Sequence, residues 1–424
     1  MWEILDSEEI RWPLSRSHRI YYSITSFRSP EPKAIAMVAA AVLTLSAKGL
    51  GGNAYASRLE RKRRPLSIFA AFVRLLSRTF RFSMAPVAEV VRTESSRLID
   101  KFGRHITDLR IAVTDRCNYK CVYCRTGNDG PQFPELPIAD YLRMARVFVS
   151  LGIEKIRLTG GEPLLRKGLL DLVRELAQLR TLDGQPLDIA LTTNGHLLAD
   201  LARPLKEAGL SRVTVSMDAV DAEKFQRITR VPSGYENVLA GIREARRVGL
   251  APVKVNCVLL RGFNDDQLPA FGKFAREEGI AVRFIEFMPL EEDRVWTPDV
   301  VITQAEILRR MAEFMPLVEI GQEGSETARR YRFADGIGEI GIIAPVSNPF
   351  CGHCSRVRLT SDGKIRTCLF SVLEHDLYSQ MRRGADDPQL AEYIRGVVMK
   401  KEARHHIGEP DFVPASRTMV HIGG

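Results

Sequence analysis

The 424-residue sequence has no apolar run that clearly suffices to cross a bilayer. The clearest one, residues 34–47 between Lys33 and Lys48, falls short of the ~20 residues a spanning helix takes. Cysteine is scarce and unevenly placed: three fall between Cys117 and Cys124, three between Cys351 and Cys368, and Cys257 stands alone. That pattern excludes a dense secreted disulfide framework and points to metal ligands in a reducing compartment. The main body also lacks a surplus of one charge. Of the net +9, residues 1–83 hold 14 Lys/Arg against 6 Asp/Glu, which leaves 47 against 46 in the remainder. A general nucleic-acid-binding role loses its main support, and no nucleic-acid partner is expected.

The basic extension, residues 1–83, carries mixed signals. Ala54–Ala56 mimics a signal-peptidase site, yet the long preceding region holds Glu3, Asp6, Glu8 and Glu9. Residues 61–88 are Arg-rich and free of acid, as organelle transit peptides are. The first reading is translation beginning near Met84; a transit or membrane-proximal segment and export are the others. All three place the extension outside the fold. The expected location is the cytoplasm, or an organelle matrix if the transit reading holds.

From Asp108 onward short β-branched runs alternate with amphipathic stretches. Strands are expected at Leu109–Val113, Lys155–Leu158, Asp188–Thr192, Arg212–Met217, Val253–Leu259 and Val282–Phe287. Between them apolar residues recur at helical spacing, as in Leu169, Leu172, Val173 and Leu176. Gly152, Gly209, Gly249 and Gly279 each precede Leu or Ile and then a strand, the punctuation that closes a helix. Six such units predict an α/β fold, a partial (β/α)6 TIM-like barrel over residues 84–324 with right-handed crossovers. After about Glu292 the rhythm breaks into short strands around Tyr331–Ile343 and Arg356–Cys368 and a helical tail. This predicts a smaller C-terminal α+β domain over residues 325–424.

In parallel α/β barrels chemistry sits on loops at the C-terminal ends of strands. The first cysteine loop follows the first strand, Thr159–Pro163 (TGGEP) the second, and Thr193–Gly195 the third. Ser216–Asp218 ends the fourth strand and Met288–Pro289 the sixth.

Cys117, Cys121 and Cys124 have the spacing C-x3-C-x2-C. Three thiolates on one tight loop can each take one iron of a cubic cluster and leave the fourth iron open to a small molecule. Zinc is the alternative, but it wants four ligands and no fourth Cys or His lies in the loop. With Tyr123 before the last cysteine and TGGEP after the next strand, this loop resembles the radical S-adenosylmethionine (SAM) superfamily. The resemblance implies a 4Fe–4S cluster whose open iron is chelated by SAM, giving a 5′-deoxyadenosyl radical on reduction. Gly160 and Gly161 are expected to let backbone approach the methionine moiety.

Cys351, Cys354 and Cys368 form a second triplet, C-x2-C-x13-C. A zinc site that recruits His353 is the alternative here. Arg356 and Arg358 alternate on the strand that follows, so one face presents two guanidiniums suited to phosphate. Two cysteine triplets, RVRLT after the second, and an Ile422-Gly423-Gly424 end together resemble the GTP 3′,8-cyclase family, from about Leu98 to the C-terminus.

This family resemblance implies a second 4Fe–4S cluster that holds the guanine of GTP opposite SAM. It also implies hydrogen abstraction from ribose C3′ followed by attack on C8, the first step of molybdenum cofactor biosynthesis. By position, Tyr123, Gly161, Ser216 and Met288 match SAM contacts. Arg110, Arg157, Thr192, Lys254, Arg356, Val357 and Arg358 match GTP contacts, and Gly423 and Gly424 a tail threaded into the active site. Independently, basic residues inside apolar strands are costly without a partner; a polyanion explains them, and structural ion pairs are the alternative. Cys257 matches no cluster position and is expected to be a buried core thiol; His405 and His406 receive no ligand role. The family further implies an electron donor and a downstream cyclic pyranopterin monophosphate synthase, and leaves a homodimer open. Two competing classes are a peptide-modifying radical SAM enzyme with an auxiliary-cluster domain and a zinc-stabilised binding protein.

Overall fold

The computed structural model describes residues 97–424 apart from 125–130, Val295 and Gly424. The expectations for the extension and for Gly424 therefore lie outside the described residues. Six parallel strands alternate with helices: β1 Asp108–Ala112, β2 Lys155–Thr159, β3 Asp188–Thr193, β4 Arg212–Ser216, β5 Lys254–Leu259 and β6 Ala281–Glu286. They lie side by side in chain order. Each strand begins or ends within about one residue of its expected bounds, because the β-branched runs are bounded by turn residues on both sides.

The later strands extend the same sheet. They are β7 Leu317–Gly321, β8 Arg329–Phe333, β9 Glu339–Ile343, β10 Arg356–Leu359, β11 Lys364–Arg366 and β12 His375–Asp376. The sheet order is β12-β11-β10-β1-β2-β3-β4-β5-β6-β9-β8-β7. β10 runs parallel beside β1 and β9 parallel beside β6, while β11, β12, β8 and β7 continue antiparallel. Strands from the C-terminal region thus flank the six-strand set on both sides.

Alternation along each strand decides which side chains face inward. On β1 and β2, Leu109, Ile111, Ile156 and Leu158 are fully buried in the main core with Phe148, Leu172, Val173 and Leu176 of the covering helices. Arg110 and Arg157 occupy the intervening positions and face the other way. The four helix-closing glycines all take positive φ; at Gly209 (φ 107°) an added Cβ would also lie 2.5 Å from the Ala177 Cβ. The helix Gln304–Phe314 and strand β7 were not among the expected elements. The helix is capped by Thr303, whose hydroxyl accepts from the Glu306 N–H, and it buries Ile307 and Met311. Among the described residues no helix is long and apolar enough to cross a membrane.

Candidate active site

The inward faces of the strands enclose a cavity of about 550 Å³ whose wall is strongly cationic. Arg110 lies level with Arg157 on β2 and with Arg358 on β10, and one step below, Asp108 lies level with Lys155 and Arg356. Burial, then repulsion from Arg356, brings Arg110 down to about 10. Burial and the neighbouring Arg110 and Arg212 bring Arg157 to about 9, and burial with Arg283 brings Lys254 to about 8. Arg358 is lowered further, by burial first and Arg110 next. Among the described residues the hydrogen-bond partners of Arg157 are neutral: it donates to the hydroxyls of Thr192 (3.1 Å) and Thr214 (3.2 Å). A wall of partly compensated cations is costly by itself and suits a polyanion.

Lys155, Arg212 and Arg283 also line this cavity, and the sequence reading did not single them out. Strand parity was the available signal: Lys155 is two residues before Arg157, and Arg212 shares its inward face with Thr214 and Ser216.

The first cysteine loop hangs from the end of β1 and is clamped by backbone. The N–H of Gly161 donates to the Thr114 carbonyl (2.9 Å) and that of Glu162 to the Arg116 carbonyl (2.7 Å). An added Cβ would lie 2.3 Å from the Thr114 oxygen at Gly160 and 2.4 Å from the Arg116 oxygen at Gly161. The approach of the cysteine loop thus excludes a side chain from both positions of this glycine pair. Buried Glu162 then joins two loops, accepting from the N–H groups of Leu164 (2.9 Å) and Asn194 (2.7 Å) and from the Thr193 hydroxyl (2.8 Å). Burial still raises its carboxyl to about 7. The Tyr123 hydroxyl donates to Asp218 (2.6 Å), which fixes the ring between the cysteines and the end of β4.

The second triplet forms where the turn Cys351–His353 meets the segment after β11. The ammonium of buried Lys401 donates to the carbonyls of Arg356 (2.9 Å) and Thr367, tying the two cysteine-bearing segments together. Against burial, which raises it, Arg356 and Lys401 bring Cys354 down to about 7. His405 faces the same cavity, edge-on to Phe370 at 5.1 Å, and burial lowers it to about 4. His353 is exposed. Cys257 is fully buried, as expected of a core thiol.

Six cysteines, Tyr123, Gly161, Ser216 and Met288 all line this one cavity, together with Arg110, Arg157, Thr192, Lys254, Arg356 and Arg358. Val357 does not: its side chain is buried in the core on the opposite face of β10. Gly423 is buried against the end of β2, where an added Cβ would lie 2.6 Å from Thr159 Cγ2, and its carbonyl accepts from Arg358.

Comparison with known proteins gives a consistent result. Residues 111–275 match the radical SAM superfamily model, and residues 280–407 match the model described as Molybdenum Cofactor Synthesis C. A GTP 3′,8-cyclase of Peptoclostridium acidaminophilum is 42% identical over 337 residues, covering 78% of this chain and 99% of its own. One of Rhodopirellula baltica is 41% identical over 340 residues, covering 78% and 93%. Among solved structures, Streptococcus suis SuiB bound to its precursor peptide SuiA overlays with a TM-score of 0.53 at 14% identity, covering 91% of this chain and 88% of that one, a likeness of fold alone.

Proposed function

The chain belongs to the GTP 3′,8-cyclase family of radical SAM enzymes, and from that membership we infer that it joins C3′ to C8 of GTP in the first step of molybdenum cofactor biosynthesis. One observation carries the reading: both cysteine triplets and the cation wall open into a single cavity.

Cys117, Cys121 and Cys124 would hold the first 4Fe–4S cluster, with a vacant corner for SAM. We extend this to Cys351, Cys354 and Cys368 as holders of a second cluster; three thiols on one cavity wall and an exposed His353 support it. When bound, the first cluster and SAM supply the 5′-deoxyadenosyl radical.

The chain's own residues bind, orient and enclose. Arg110, Arg157, Lys254, Arg356 and Arg358 take the triphosphate and the base, with Thr192 orienting Arg157. Tyr123, Gly161, Ser216 and Met288, which all line the cavity, would form the SAM side. Val357 can contribute only through its backbone. Gly423 closes the cavity beside Thr159 with no side chain to obstruct the reacting ribose. An electron donor and a downstream enzyme that forms cyclic pyranopterin monophosphate complete the expected partners, and cysteines grouped as metal ligands suit a reducing compartment such as the cytoplasm.

The test is oxygen-free incubation with SAM, GTP and dithionite. It should yield 5′-deoxyadenosine and a cyclised guanosine triphosphate, with about eight iron atoms per chain. Production of 5′-deoxyadenosine without GTP would point to another substrate, and zinc at the second triplet would remove the second cluster.

A further inference from the structure

Carboxylates are few in the cationic cavity. Among the described lining residues they are Asp108, Asp218 and Glu326. Two are committed: Asp108 pairs with Lys155 at 3.1 Å, and Asp218 accepts from Tyr123 and from the Val258 N–H (2.8 Å). Glu326 differs. The cation paired with it is Arg283 at 3.8 Å, beyond hydrogen-bond reach, and its Oε2 is buried with no hydrogen-bond partner. It also acts on Lys254, whose charge it favours.

The position of Glu326 explains how it could move. It lies on the segment between β7 and β8, outside any strand. That segment reaches β10, where Arg356 donates to the Ser325 carbonyl at 2.9 Å. A side chain on a connecting segment can be withdrawn at less cost than one on a central strand.

We propose that Glu326 is a displaceable internal counter-ion, which neutralises Arg283 and Lys254 in the empty cavity and yields them to the triphosphate of GTP. The proposal rests on the triphosphate reading given above. Buried cations repel one another, so an empty wall without this carboxylate is less stable. A triphosphate must break that pairing before it gains the same cations, so it binds less tightly than the wall alone would allow. The carboxylate then competes for the same groups when product leaves.

The experiment compares wild type, Glu326→Gln and Glu326→Asp as oxygen-free reconstituted holoenzymes, by calorimetric titration with GTP and with GMP and by thermal melting. Glu326→Gln should lower the melting temperature of the unliganded protein yet bind GTP about five- to tenfold more tightly. GMP, which lacks the outer phosphates, should change by less than about twofold. Glu326→Asp, which keeps the charge, should stay within about twofold of wild type for GTP. A purely structural role predicts that loss of stability and loss of affinity go together. Unchanged or weaker GTP binding in Glu326→Gln overturns the proposal, as does equal tightening in Glu326→Asp. Should wild type itself fail to bind GTP, the triphosphate reading has failed instead.

Discussion

The Arg358 guanidinium, buried on β10, donates a hydrogen bond to the backbone carbonyl of Gly423. The chain end is therefore fastened to the strand that carries the second triplet's arginines, and it packs against Thr159 at the end of β2. Gly423 has φ 80°, and any side chain there would collide with Thr159 and crowd Ala112. Deleting residues 423–424, or Gly423→Ala, should reduce cyclisation by about 10²-fold through misplacement of the ribose. Iron content should be unchanged. Product formation by the truncated enzyme at the wild-type rate would refute the threaded tail.

The two triplets should separate by their losses. Cys117→Ala should abolish 5′-deoxyadenosine formation and remove about half of the iron. Cys351→Ala should remove the other half and the cyclised product, while the first cluster remains visible by electron paramagnetic resonance. Equal loss of both signals in either variant would show that the triplets do not act as independent sites.

Arg157 should show stability and function opposed. Its guanidinium is half-buried, hydrogen-bonded to two hydroxyls and surrounded by other cations. Arg157→Met keeps length and removes the charge, so the unliganded protein should melt a few degrees higher. GTP affinity should fall about tenfold or more. A lower melting temperature would mean that the cation is compensated in the folded protein.

Lys254 predicts the pH dependence of substrate binding. Burial, and then Arg283, place it at about 8 in the free protein, below the ordinary lysine value of 10.5. It is charged below that pH and progressively neutral above it. A bound triphosphate favours the charged form, so binding should take up a proton above pH ~8 and GTP affinity should fall as pH rises through that value. Lys254→Arg should remove the part of the slope centred near pH ~8 and leave that which Arg157 and Arg110, at about 9 and about 10, contribute above it. Calorimetry in buffers of different ionisation enthalpy measures the uptake directly; its absence in wild type would remove Lys254 from the triphosphate site.

Much of this architecture is legible in the residues because it is local. The strand runs and the glycine stops after helices are set by neighbours within a few residues, as are the cysteine spacings. The inward cations were partly legible: Arg110, Arg157 and Lys254 stand out as charges in apolar strands. Lys155 and Arg212 begin their strands, where a charge is unremarkable, and Arg283 was passed over within its strand. The helix Gln304–Phe314 has a clear Thr303 cap, but it buries only Ile307 and Met311, so its apolar stripe is thin. His405 and Glu326 reach the cavity from segments without regular periodicity, and no local pattern places them there. The pairing of β10 with β1 joins residues too distant for any window of sequence to reveal.

That pairing also constrains how the chain is made. The Ser355 hydroxyl meets the Asp108 carboxylate across 247 positions of sequence, at the point where β10 joins β1. On the ribosome β2 can dock on β1 early, but the far side of β1 keeps its backbone groups unpaired until β10 emerges. For most of translation the nascent polypeptide therefore carries a free parallel edge, the kind that recruits other chains, and contacts of such long range close slowly. The three thiols beyond residue 350 do not exist until that late stage. Any metal centre those thiols hold is consequently loaded at the end of biogenesis, after β10 has sealed β1.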